Sequence, residues 1–214
     1  MIKFYGRSTS DSVQKSIWFL EETGQAFEHV ELGGKFGGLD DAEYLRLNPH
    51  GKVPTLIDGD TVVWESNAII RYLGAKYCAG DLYPEDLAER TYADQWMEWI
   101  QTRVYPDFNR LFWMTVRTPK ADQDPKQVRR LNEQLNAYYV LLDSELSQRR
   151  FLGGERLTMA DFPGGATLYR YFEMPIQRPE LPHVSRWYEV LRERPAYQKR
   201  VMVSFDELWG RLAF

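Results

Sequence analysis

Hydrophobic positions divide the chain into two unlike parts. Ile2 to Gly6 reads as a short strand closed by glycine. From Ser12 to Thr23, Val13, Ile17 and Leu20 recur at helical spacing, and Gly24 supplies a stop. Phe27 to Leu32 alternates like a strand. Gly33 to Gly38 is a flexible loop, and Ala42 to Leu47 fits a helical turn ending at Asn48-Pro49. Val53 to Asp58 and Thr61 to Trp64 predict strands on either side of Asp58-Gly59-Asp60, a hairpin signal. Ser66 to Tyr77 predicts a helix with Ile69, Ile70 and Leu73 inward. The order is β-α-β-α-β-β-α: two parallel strands joined by a helix, then an antiparallel hairpin, hence a mixed sheet.

After that the period-two signal stops. Ala79-Gly80-Asp81-Leu82-Tyr83-Pro84 reads as a linker. Leu87 to Met114, Pro125 to Gln148, Thr158 to Tyr171 and Pro182 to Arg192 read as helices, with no convincing strand. Thr158 with Asp161 has the spacing of a helix cap, as has Asp11 with Gln14. The expected organisation is an α/β domain over residues 1–78, a linker over 79–85 and an all-α domain over 86–214.

Composition narrows the function. The chain has 214 residues, 43% of them hydrophobic and 14% aromatic, which suits packed cores. Its net charge of −4 argues against a nucleic-acid partner, which usually calls for a basic excess. Cys78 is the single cysteine, so no disulfide forms within the chain. His29, His50 and His183 have no ligand spacing, so no metal is expected. No apolar run is long enough to span a bilayer. Met1 to Tyr5 reads as a strand rather than a signal peptide. A soluble cytoplasmic protein is the expectation.

The chemistry concentrates between Asn48 and Asn67. Val53-Pro54 stands at the head of an apolar strand, and Glu65-Ser66 stands where the next helix must begin. A helix start offers unpaired N–H groups and a positive dipole end, which suit a carboxylate. The plainer alternatives are a proline opening a strand, and a serine that only caps a helix beside a favourable charge. Capping and ligand binding use the same donors, so both can hold.

Residues Tyr5-Gly6-Arg7, Ser10 to Lys15, Leu20-Glu21-Glu22, Asn48 to Thr55, Trp64 to Leu73 and Leu157 to Asp161, in that order and spacing, resemble the cytosolic glutathione transferases. The similarity covers essentially the whole chain. Gly34-Lys35-Phe36-Gly37-Gly38 looks like a bacterial, serine-type (theta/nu-like) subgroup. The resemblance implies a thioredoxin-like N-terminal domain, a helical C-terminal bundle and glutathione as co-substrate, without a metal. Its proline at Pro54 is expected to be cis, with the Val53 backbone pairing with glutathione like an added strand. Glu65 and Ser66 would hold the γ-glutamyl group, Lys52 the glycyl carboxylate, and Phe36 would cover the peptide.

A thiol with a pKa near 8.5 is only about 3% ionised at neutral pH, and lowering that pKa by about two requires roughly 3 kcal/mol. A hydroxyl at a helix N-terminus can supply this. Ser10 and Ser12 are the candidate catalytic residues. Arg7 and Ser8 stand where a tyrosine-type member has its tyrosine, and Ser10 stands where a cysteine-type member has its cysteine. Asp11 is expected to turn into its own cap, away from the sulfur. Tyr105, Phe108, Phe112, Trp113 and Arg117 are the candidate wall for a small apolar electrophile, although aromatics at this spacing also build cores. Phe205, Trp209 and Phe214 would close the cleft or pack on it. The resemblance also implies a homodimer, with Arg71 and Trp96 near the axis. Two rival functions keep the same scaffold: a glutathione-dependent disulfide reductase or peroxidase, and a non-enzymatic binder of glutathione or hydrophobic ligands.

Overall fold

The computed structural model describes residues 1–213; Phe214 lies outside the described residues. Four strands form one sheet: β1 (Ile2–Tyr5), β2 (Phe27–Val30), β3 (Thr55–Asp58) and β4 (Thr61–Trp64). Their spatial order is β2-β1-β3-β4. β1 runs parallel to β2 and antiparallel to β3, and β3 pairs antiparallel with β4. Helices α1 (Asp11–Glu22), α2 (Ala42–Leu47) and α3 (Ser66–Tyr77) complete this domain. The β-α-β-α-β-β-α order is the one expected from the strand and helix periods, and the domain is thioredoxin-like, as the resemblance implies.

Strand ends are shorter than the sequence predicts. β3 starts at Thr55 because Pro54 has no N–H to give a ladder. β2 stops at Val30, and Glu31 leaves the sheet to accept from the Ser8 N–H at 3.0 Å and from its hydroxyl. Gly6, at φ 149°, ends β1. A side chain there would collide with Val13 Cγ2 and lie 3.1 Å from Val53 Cβ. Only glycine lets β1, α1 and the Val53 loop close on one another.

The second part is helical: α4 (Leu87–Trp99), α5 (Tyr105–Phe112), α6 (Pro125–Leu146), α7 (Asp161–Glu173), α8 (Pro182–Arg192) and α9 (Pro195–Arg200). The helix expected over Leu87 to Met114 continues to Arg117, with wider π turns at Ile100–Val104 and Trp113–Arg117. Pro106 has no N–H for the Thr102 carbonyl, so the ladder there cannot hold a uniform α register. At the second π turn, Thr118 donates to Trp113 O five residues back at 2.8 Å. α7 begins at Asp161 rather than Thr158. Asp161 accepts from the Leu152 and Thr158 N–H groups at 2.8 and 3.0 Å, while the buried Thr158 hydroxyl has no partner.

The two parts share a core. Trp18 of α1 packs on Phe162 of α7 and Tyr197 of α9, with centroids 4.1 and 4.9 Å apart. Polar links follow the same faces. Glu22 receives Arg194 at 2.6 and 2.7 Å, and Glu21 receives Lys199 and Arg200. Among the described residues, no helix is long and apolar enough to cross a membrane and no cluster of metal-ligating side chains is found.

Candidate functional site

The sheet register gathers the predicted site at one end. Tyr5 pairs with Thr55 and Thr55 with Trp64, so Gly6, Pro54 and Glu65 leave the sheet side by side. The N-termini of α1 and α3 follow directly. A hydrogen bond of 2.9 Å from Lys15 Nζ to Asn67 Oδ1 ties the two helices together. Ser10 and Ser66 therefore stand at neighbouring helix starts.

The Val53–Pro54 peptide is cis. The loop before it is held by side chains. Asn48 Nδ2 and the Tyr44 hydroxyl both donate to Lys52 O, at 2.8 and 2.5 Å, and both contact Thr55 Oγ1, at 3.2 and 2.9 Å. Among the described residues, the Val53 N–H and C=O take no protein partner. The Lys52 side chain is exposed.

Glu65 has φ 69°, the one non-glycine residue with positive φ among those described. Such a conformation costs of order 1–3 kcal/mol and clusters at ligand sites. Ser66, 5% exposed, opens α3 with no protein partner for its hydroxyl. Its N–H belongs to the unpaired first turn.

Ser10 is the N-cap residue of α1, yet its hydroxyl makes no capping bond. Ser12 Oγ lies 3.4 Å from the Tyr105 hydroxyl, and burial raises the Tyr105 pKa to about 12. Asp11 does not form the expected cap with Gln14. Gln14 Nε2 donates instead to Ser8 O at 2.9 Å, and the Asp11 carboxylate is buried against the Arg170 guanidinium. Burial raises the Asp11 pKa, with Arg170, Arg7 and Lys15 opposing.

A cavity of about 220 Å³ adjoins Ser10. Tyr105, Phe112, Trp113 and Arg117 line it. Phe108 does not; it is fully buried in the core beside Phe112. The wall is also more polar than a site for an apolar electrophile requires, because Arg7, Arg170 and Asn109 join it. Sequence reasoning missed Arg170, although an arginine inside the apolar run from Phe162 to Phe172 is a visible anomaly. A second cavity of about 340 Å³ is lined by Ser8, Thr9, Lys35, Phe36 and Glu207 among others, with Phe36 48% exposed at its edge. The C-terminal tail covers the far side: Phe205 packs on Phe112 with centroids 5.4 Å apart, and Leu208 lines the smaller cavity.

Fold and corner together define a two-domain protein, thioredoxin-like first and helical second. Residues 2–75 match the model of the glutathione S-transferase N-terminal domain, and residues 92–195 match that of the C-terminal domain. Glutathione S-transferase GstB of Escherichia coli is 34% identical over 205 residues, covering 95% of this chain and 99% of that one. Glutathione S-transferase 3 of Zea mays is 32% identical over 208 residues, covering 94% and 93%. Among solved structures, the glutathione-bound theta class glutathione S-transferase of Xanthomonas axonopodis pv. citri aligns with a TM-score of 0.91 and 47% identity, covering 95% and 98%. The chain belongs to the glutathione S-transferase family.

Proposed function

We propose that this protein activates the thiolate of glutathione at Ser10 and transfers it to a small electrophile bound between the domains. Residues 1–78 hold the peptide, 79–85 link, and 86–214 supply the rest of the cleft. Glutathione lies along the sheet end. Its cysteinyl backbone pairs with Val53 ahead of Pro54, and its γ-glutamyl carboxylate sits on the Ser66 hydroxyl and N–H. The ammonium meets Glu65. Lys52 reaches the glycyl carboxylate, and Phe36 covers the peptide.

The observation that carries this reading is the Ser10 hydroxyl, which caps nothing and stands at the start of α1 beside a cavity. There its O–H and the helix dipole act on the same sulfur. Ser12 is the lesser candidate because its hydroxyl is near Tyr105. The subclass is the bacterial serine type, and the location cytoplasmic. The functional unit is a homodimer; the half-buried Trp96 and Trp99 flank a shallow groove with the exposed Leu141. Arg71 already serves its own chain, paired with Asp94 and Glu98 at 2.7 and 2.5 Å.

The test is the thiolate absorbance of bound glutathione against pH. The wild type should titrate about two pH units below the free thiol, and Ser10→Ala should return most of that difference while still binding glutathione. A free-thiol titration in the wild type would leave only a binding protein. Faster turnover of a low-molecular-weight disulfide than of an aryl halide would favour the reductase instead.

A further inference from the structure

Lys15, in the second turn of α1, is a cation that the fold buries without an ion pair. It is 2% exposed. Its ammonium donates to Asn67 Oδ1 at 2.9 Å and to Gln101 Oε1 at 2.6 Å, both neutral acceptors. Among the described residues, no carboxylate lies within ion-pair distance of it. A buried charge is ordinarily matched by an opposite one. A tie between helices needs only donors, which a neutral amide side chain also has.

The groups that face Lys15 come from four helices. On its own helix, Asp11 is bound to Arg170 of α7. On α4, Glu98 pairs with Arg71 of α3 at 2.5 Å. On α5, Tyr105 presents its ring, whose centroid is 5.7 Å from the ammonium, and burial keeps its phenol protonated with a pKa of about 12. That leaves Glu65 at the head of α3, which has no ion pair among the described residues and is the foremost charge favouring the ammonium. Asp11 and Glu98 also favour it, and Arg71 opposes it. Even so, burial lowers the Lys15 pKa from 10.5 to about 7, so near neutral pH the charge is only half held.

Asn67, which the ammonium grips, directly follows Ser66. A carboxylate on the Ser66 hydroxyl and N–H would lie over that same first turn of α3. With the peptide's ammonium on Glu65, two positive and two negative charges then alternate around the corner. With Lys15 neutral, the same corner closes with one negative charge in excess.

We propose that Lys15 is the protein's counter-charge for the γ-glutamyl carboxylate of glutathione, acting from beneath Asn67 without touching the peptide. It is a positioning residue, and the inference rests on the glutathione site proposed above. The bound carboxylate favours the protonated lysine, so capture of the peptide draws a proton from solvent near neutral pH. By the same linkage, affinity falls as pH rises through the range in which Lys15 releases its proton. Each unit by which binding raises the lysine's pKa is about tenfold in affinity.

The experiment is calorimetry with S-methylglutathione, whose blocked sulfur has no proton to lose. At about pH 7.5, in two buffers of different ionisation enthalpy, the wild type should take up about half a proton per peptide bound. Its Kd should rise about fivefold between about pH 6.5 and about pH 8.5. Lys15→Met should bind more weakly at the lower pH and lose most of both effects. If Lys15 only tied helices together, its removal would weaken binding, but the wild type would take up no proton. The deaminated analogue, glutaryl-(S-methyl)cysteinylglycine, has no ammonium to titrate and should show the same uptake with the wild type, a readout that needs no variant to fold. No uptake with either peptide, or equal uptake by wild type and Lys15→Met, overturns the counter-charge role and leaves the glutathione site intact. Failure of both S-methylglutathione and glutathione to bind overturns the site reading and this inference with it.

Discussion

The carboxylate of Asp11, on the first helix, meets the guanidinium of Arg170, on the seventh, in a contact where the side chains are 6% and 3% exposed. It joins the two domains beneath the Ser10 corner. Removing one member of a buried pair leaves the other charge without compensation, at a cost of about 3–5 kcal/mol. Asp11→Ala should lose that much stability in urea unfolding. A loss below about 1 kcal/mol would show the pair to be dispensable.

Lys15 sets a pH dependence. Its buried ammonium donates to Asn67 Oδ1 at 2.9 Å and Gln101 Oε1 at 2.6 Å, and neither partner carries a charge. Burial lowers its pKa from 10.5 to about 7, with Glu65 and Asp11 opposing. Below about pH 7 folded and unfolded chains both hold the proton, and the cost of burying the charge is fully present. Between about 7 and 10.5 the unfolded chain holds a proton that the folded chain has released, so this residue makes stability rise with pH. Unfolding free energies from urea titrations at about pH 6.5 and about pH 9 should therefore differ by roughly 2 kcal/mol more in the wild type than in Lys15→Met. An identical difference in both proteins would remove Lys15 as the source.

Ser66 and Glu65 should separate binding from folding. Ser66→Ala should weaken glutathione by about 1–2 kcal/mol in calorimetry and leave thermal stability almost unchanged. Glu65→Gly relieves a left-handed backbone, so its melting temperature should hold or rise while glutathione affinity falls. Unchanged affinity in both variants would move the γ-glutamyl group elsewhere.

Asp161 should matter only to stability. Asp161→Ala strands two buried N–H groups, of Leu152 and Thr158, and should cost about 2–5 kcal/mol. Asp161→Asn keeps one acceptor and should fall between. Differential scanning calorimetry orders the three proteins, and equal melting temperatures would show the two hydrogen bonds to Leu152 and Thr158 to be dispensable.

What could be read from the sequence was local. The hairpin, the Val53-Pro54 step and the Glu65-Ser66 helix start are all written in neighbouring residues, and they lie where the periods placed them. Asp11 went wrong because its partner is far along the chain on α7, so a nearby capping pattern with Gln14 offered the only visible explanation. The arginine cluster was hidden for the same reason. Arg7, Arg117 and Arg170 come from the end of a strand, a π turn and the seventh helix, and only the packing of α1 on α7 brings them together. Phe108 shows the opposite failure: helical spacing identified an aromatic stripe and could not tell its core side from its cleft side.

Tyr44 and Asn48 grip both Lys52 O and Thr55 Oγ1, so the segment that displays Val53 is fixed from either flank by its own domain. An incoming peptide therefore finds a surface that has already surrendered its freedom of movement. Little ordering entropy is left to be charged to association, and capture should proceed at the pace of encounter rather than wait for a loop to settle.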